Sequence, residues 1–180
     1  MTDPTPERET LPVIRERRML DLLDAHYRGE FAGAARWAKA EHVTLVVENG
    51  YRISDFMAMD MWYSNGYALH GHEVKVSRSD WLAELRQPEK ADAFMRYCDR
   101  WWLVVSDESI VRDDLPKGWG LMVKHGDRLA VLRNARKLRP EPLPKSLTAG
   151  LLRANRKLAR VTDVADQEPA CVAETTEGHR

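Results

Sequence analysis

The chain reads as mixed α/β, one sheet with helices packed on it, and three observations predict this. Apolar residues recur at three- and four-residue steps before Gly29, the period of an amphipathic helix. Three strand-like runs follow, separated by Asn49-Gly50 and Ser64-Asn65-Gly66, which are turn sequences. A helical stretch interrupted by Pro88 then leads into Trp101-Trp102-Leu103-Val104-Val105, too continuously apolar for a strand with a wet face. Helix, three strands, helix, strand is the order of a sheet covered by helices.

The elements follow in order. Residues 1–11 are polar and Pro-rich and read as a disordered lead-in. They have neither the basic start nor the apolar run of a signal peptide. From Pro12, Val13, Ile14, Met19, Leu20, Leu22, Leu23 and Tyr27 mark the first helix, with Gly29 as its stop. A second short helix is expected over Phe31 to Ala40. Thr44 to Glu48 is the first strand and Arg52 to Trp62 the second. On the second, Asp55, Met57, Met59 and Met61 share one face, and Phe56, Ala58 and Asp60 the other. Tyr67 to Val76 is the third.

Ser77 caps the next helix, with Asp80 three residues on, and Trp81, Leu82 and Leu85 form its apolar face. Ala91, Phe94, Met95 and Cys98 continue an apolar face after Pro88. Trp119 to Val123 and Arg128 to Leu132 make a hairpin around His125-Gly126-Asp127. From Arg133 to Arg160 nine bases face one acid, Glu141. Leu147 to Ala159 reads as a basic helix, and residues 161–180 as a disordered acidic tail.

These readings give one domain over residues 12–132, a basic extension over 133–160 and two tails. The 180 residues, 43% of them hydrophobic, are enough for a sizeable core. Lys+Arg and Asp+Glu are both 28, so net charge neither favours nor excludes nucleic acid. Cys98 and Cys171 show no disulfide framework, which fits a reducing, cytoplasmic setting. No run of 18 apolar residues spans a membrane.

The chemistry concentrates in Gly71-His72-Glu73-Val74-Lys75-Val76-Ser77. In a strand, Glu73 and Lys75 point to one face and Val74 and Val76 to the other. An Asp on the neighbouring strand would complete a hard oxygen site suited to Mg²⁺. Asp55 and Asp60 are five apart, so only one of them can join Glu73 on a regular strand, and a bulge would undo that parity. His72 and Glu73 face opposite ways and no Cys is near, so packing, rather than zinc, accounts for His70 and His72. Trp81 is expected to be partly open to a ligand, while core packing accounts for at least one of Trp101 and Trp102. Arg78, at a strand–helix junction, can contact a phosphate. The basic stretch, with Arg153, Arg156 and Lys157, can follow a nucleic-acid backbone.

The Asp strand, the Glu-x-Lys strand and the element order resemble the PD-(D/E)XK nuclease superfamily. The run Glu73-Val74-Lys75-Val76-Ser77-Arg78-Ser79-Asp80-Trp81, then Glu89-Lys90, then Tyr97 to Val105, is similar to small phage and bacterial members that include the MmcB-like DNA repair proteins. The resemblance covers roughly residues 44–132. It implies a restriction-endonuclease-like core (αβββαβ, a mixed central sheet flanked by helices), with the hairpin and basic helix added. Asp55 would be the first motif acid, Glu73 the second and Lys75 the lysine. Mg²⁺, with Mn²⁺ able to substitute, would sit on Asp55, Glu73 and the Val74 main-chain carbonyl.

Ser54 stands where the superfamily often has Pro. Arg52-Ile53-Ser54-Asp55 matches the Arg-x-x-Asp of the similar proteins and favours Asp55 over Asp60. Glu16 or Glu48 could add an early acid, as in some relatives. Lys90 and Tyr97 are candidates on the following helix. The implied function is hydrolysis of DNA phosphodiester bonds in repair, recombination or phage DNA processing, with DNA as partner and a homodimer possible. The alternative is a DNA-binding or assembly module on the same fold, with little catalysis.

Overall fold

The computed structural model describes residues 15–31 and 34–165, with side chains to residue 155. Helix α1 (Glu16–His26) is followed by a small ribbon of β1 (Glu30–Phe31) and β2 (Ala34–Ala35). Then come β3 (Trp37–Val47), β4 (Gly50–Asp60), β5 (Leu69–Lys75), α2 (Arg78–Leu85), α3 (Glu89–Met95) and β6 (Arg100–Val105). β7 (Gly120–His125), β8 (Arg128–Arg133) and α4 (Lys145–Ala165) complete the chain. β3 to β8 form one mixed six-stranded sheet in sequential order. β3, β4 and β5 are an antiparallel meander. β5, β6 and β7 run parallel, and β7–β8 is an antiparallel hairpin.

Each face of the sheet carries its own core. α1 buries Met19, Leu20, Leu22 and Leu23 against Phe56, Ala58, Val74, Trp102 and Val104. On the other face Trp81 of α2, Phe94 of α3 and Leu147 of α4 pack with Met57, Leu69, Trp101, Leu103 and Val105. The alternation read on the Asp55 strand therefore holds for Phe56, Met57 and Ala58. β5 and β6 supply both cores, which is why their sequence is apolar on successive positions.

Several expectations are corrected. Residues 34–40 are not helical: β3 starts at Trp37 and pairs with β4 from Trp37 to Val47 except at His42. The alanines there favour a helix locally, but the ladder to β4 outweighs that preference. β4 ends at Asp60, leaving Met61 outside the strand and exposed. On α2, Leu82 is exposed and Glu84 is buried in its place. Ser77 does cap that helix, its Oγ accepting the Asp80 N–H at 3.2 Å. Trp81 is not open: it is fully buried and its indole N–H donates to Asp114 at 2.9 Å. Both Trp101 and Trp102 are buried. α4 continues to Ala165, so the expected tail begins at least five residues late. The lead-in over 1–11 and the rest of that tail lie outside the described residues.

α4 lies close against β3. A Cβ built on Gly150 would stand 2.2 Å from the Thr44 carbonyl oxygen, a backbone atom. Alanine is favoured over glycine in a helix by about 1 kcal/mol. Overpacking against backbone costs about 2–3 kcal/mol and wins. Gly150→Ala is thus expected to lower the urea midpoint, and an unchanged or raised midpoint would show that α4 does not sit this close in solution.

Candidate metal and phosphate site

The site forms where β4 parts from β5. Their ladder pairs Phe56–Met59 with Leu69–His72 and goes no further. Beyond it the Val74 N–H donates to Asp55 Oδ2 at 2.7 Å. Ser54 is fully buried beside it, its hydroxyl within 3.3 Å of the His72 carbonyl. On the β3 side, Glu41 pairs with Phe56 and Val43 with Ser54. Between them His42, opposite Asp55, takes a φ of 51°. That left-handed residue switches the side-chain alternation, so Ala40 and Val43 both reach the same core. Non-glycine residues at positive φ are costly and concentrate at functional sites.

Glu73, 8% exposed, and Lys75 emerge at the end of β5. Lys75 Nζ lies 2.5 Å from Glu73 Oε1 and 3.2 Å from Glu84 Oε2. Glu84, on α2, is 7% exposed, and its Oε1 is buried with no hydrogen-bond partner among the described residues. Glu16, His42 and Asp55 form a second cluster, their ligand atoms all within 4.8 Å of one another. It is the one such trio among the described residues, and it does not include Glu73, which is turned to Lys75.

The charges are unbalanced. If all three were ionised, Asp55, Glu73 and Glu84 would bring three negative charges to one ammonium, and the fold answers that repulsion by keeping Glu73 largely protonated near neutral pH. Burial is the largest influence on both Asp55 and Glu73. It pushes Glu73 up to about 8, helped by the Asp55 and Glu84 charges and opposed by Lys75. Asp55 is raised too, by burial, although the Val74 N–H and Lys75 oppose the rise. Burial pulls Lys75 down, but Glu73, Asp55 and Glu84 together hold it well above its usual value. The donor set therefore fits a divalent cation: hard oxygens, carboxyls that a cation's charge would ionise, and at the edge a carboxylate oxygen with no partner among the described residues. The His42 nitrogen adds a ligand type that Mn²⁺ accepts.

The other predicted residues fall as follows. Asp60 is not at the site. Burial would raise it, but Arg36 at 2.7 Å, Asn65 at 2.8 Å and the Trp62 N–H hold it below the usual carboxylate range. Arg78 is not free for a phosphate: it pairs with Asp114 and donates to the Ile110 carbonyl at 2.8 Å. Arg52 is half-buried on β4 and donates to the Tyr51 carbonyl. Glu48 is exposed in the β3–β4 turn. With Tyr97 it lines a separate cleft of about 580 Å³ between β3, α3 and the start of α4. The early acid near Asp55 is Glu16 instead. Lys90 and Arg153 are exposed on α3 and α4, and the side chains of Arg156 and Lys157 lie outside the described residues.

Two residues of the site were not anticipated. Glu84 had a signal: it is three positions after Trp81 and so shares the buried helix face. His42 had none, because only its pairing opposite Asp55 gives it a role.

On the α1 face, His72 is fully buried. One ring nitrogen lies 2.8 Å from Tyr27 Oη and the other 3.2 Å from the Phe56 carbonyl. Tyr27 Oη also reaches His70 at 3.2 Å. These are packing histidines. Burial depresses His70 to about 4 and His72 well below its usual value. Both imidazoles are neutral in the fold and charge in the unfolded chain. The stability they contribute is complete above about pH 6.5 and is lost as pH falls towards 4. Glu73 has the opposite pH dependence, so the test belongs in Glu73→Gln protein. There the unfolding free energy is expected to fall by about 2 kcal/mol per ring, about 4 kcal/mol in all, between pH 7 and 5, and no fall would mean that the two rings are protonated in the native state.

No family model matches the chain, and no curated protein matches it. A protein of unknown function from Silicibacter pomeroyi has a similar solved structure, with 20% identity and a TM-score of 0.57. The match covers 91% of this chain and 99% of that one. It shows the α/β fold and carries no activity with it.

Proposed function

We propose that the chain is a divalent-metal-dependent nuclease that hydrolyses DNA phosphodiester bonds. The observation that carries this reading is the buried excess of carboxylate over ammonium at Asp55, Glu73, Glu84 and Lys75, set where two strands part. The element order supports a restriction-endonuclease-like core: helix, three-strand meander, helix, then a strand parallel to the third. Asp55, Glu73 and the Val74 carbonyl would hold Mg²⁺, with Mn²⁺ able to substitute, and Glu16 and His42 stand within reach of Asp55. Bound there, the cation would stabilise charge on the attacked phosphate and acidify a water.

The chain's own residues do the rest. The Lys75 ammonium neutralises charge developing on a phosphoryl oxygen or orients the attacking water. Exposed bases such as Lys90 and Arg153 offer backbone contacts whose strength falls with salt.

The test is cleavage of duplex, single-stranded, flap and four-way-junction DNA with Mg²⁺, Mn²⁺ or a chelator. Metal-dependent cutting lost in Glu73→Ala and Lys75→Ala supports the proposal, and failure to cut any form with either metal sinks it. A DNA-binding module with little catalysis is the second reading. It is favoured by the Glu73 carboxylate facing Lys75 rather than the Glu16–His42–Asp55 trio. Tight binding without cleavage, unchanged by Lys75→Ala, would select it.

A further inference from the structure

We infer that Glu84 is a positioning residue that holds the Lys75 ammonium in place once Glu73 is engaged by a divalent cation. The inference rests on the nuclease reading above. The Lys75 ammonium contacts two anions, Glu73 Oε1 at 2.5 Å and Glu84 Oε2 at 3.2 Å. An ammonium has three donors and no acceptor, and Glu73 Oε1 cannot serve both Lys75 and a cation at full strength. When Glu73 turns to a cation, Glu84 is the anion left to Lys75. Without it the ammonium would be half-buried and repelled by the incoming positive charge.

The geometry suits that role. Glu84 comes from α2, a different element from the motif strand, so movement of Glu73 does not drag it. Its helix is pinned three residues earlier by Trp81, which is fully buried, packs on Trp119 and donates to Asp114. Glu84 is itself 7% exposed, and its Oε1 has no hydrogen-bond partner among the described residues. One oxygen thus holds Lys75 now, and the second can accept a hydrogen bond from another ammonium N–H as Lys75 shifts. A glutamine would keep the shape but lose the charge that balances the ammonium.

The experiment compares wild type, Glu84→Gln, Lys75→Met and the double variant, each checked for a cooperative thermal transition. It uses the full chain with Mg²⁺ and a cleavable DNA. In Glu84→Gln, kcat is expected to fall about 10- to 100-fold, with KM for DNA and the Mg²⁺ dissociation constant within about threefold of wild type. In the Lys75→Met background Glu84→Gln should add nothing, since it acts through Lys75. Independently of activity, acetylation of Lys75 followed by mass spectrometry should be about tenfold faster in Glu84→Gln than in wild type with Mg²⁺, and clearly less affected without it, where Glu73 still holds the ammonium.

A further loss from Glu84→Gln in the Lys75→Met background, or equal labelling with Mg²⁺ present, overturns the inference and leaves the nuclease reading intact. A hundredfold loss of Mg²⁺ affinity also overturns it, by making Glu84 a ligand. If Glu84→Gln does not fold, Glu84→Asp, which withdraws the carboxylate by one methylene, must show the same Mg²⁺-dependent labelling or the inference falls. Wild type that neither binds Mg²⁺ nor cuts DNA removes the functional reading and this inference together.

Discussion

Glu73→Gln is expected to stabilise the metal-free protein while abolishing metal-dependent cleavage. Two buried carboxylates, Glu73 and Glu84, share the Lys75 ammonium beside a half-buried Asp55, so removing one acid relieves repulsion where it is ionised. The Lys75 ammonium keeps Glu84 as its partner. Glu73 titrates near 8 in the fold against about 4.5 in the unfolded chain, burial being the main cause and the Asp55 charge the next. A raised carboxylate contributes stability that is complete below about pH 4.5 and lost as pH rises through about 8. At 1.36 kcal/mol per unit the ceiling is roughly 4–5 kcal/mol. Part of the rise is shared with Asp55, so about 2 kcal/mol is expected at pH 9, or a Tm higher by about 4–8 °C. Activity should drop by about 10³-fold or more. Thermal melts of both proteins at pH 5 and pH 9 check this. The gap should open at pH 9 and close at pH 5, and a variant less stable than wild type at pH 9 would show that the Lys75 bond outweighs the repulsion.

Lys75→Met should act in the opposite direction. It leaves Asp55, Glu73 and Glu84 with no ammonium while keeping an apolar stem of similar length. Removing one member of a buried ion cluster costs about 3–5 kcal/mol. The cost should grow with pH, because Glu73 can take up a proton at pH 5.5 and escape the repulsion but does so less at pH 8.5. A bound divalent cation replaces the missing positive charge, so Mg²⁺ at a hundred times its dissociation constant should return about 2.7 kcal/mol. Urea unfolding at the two pH values, with and without Mg²⁺, reads all of this. A loss independent of both pH and Mg²⁺ would mean that Lys75 matters for the packing of its stem and not for its charge. The two neighbours on β5 thus give opposite signs from one charge imbalance.

The opposite roles of Glu73 and Lys75 were only partly legible beforehand. Their shared strand face follows from a two-residue spacing, because strand geometry is local. The same holds for the Asn49-Gly50 turn, the Ser77 cap and the β7–β8 hairpin, each set by a few adjacent residues. Residues 34–40 failed this test, since alanines that prefer a helix were drawn into a ladder with β4. Trp81 failed it as well: nothing near it in the chain foretells Asp114, 33 residues on, as the partner of its indole. Arg78 is the same case, its guanidinium held by that same Asp114.

The sequence by itself determined the α/β order, the two-sided apolar strands and the placing of Glu73 and Lys75 side by side, because these depend on backbone periodicity and nearest neighbours. Only the tertiary structure decided that Asp60 is bound elsewhere, that Glu84 is a buried acid at Lys75, and that Glu16 and His42 stand at Asp55 while Glu48 does not. Asp60 is claimed by Arg36 and Asn65, and Asp55 by a Val74 N–H left over where β4 parts from β5. Such choices are made by which polar groups remain unpaired after distant elements pack, and a buried polar group must find its partner wherever the fold has brought one.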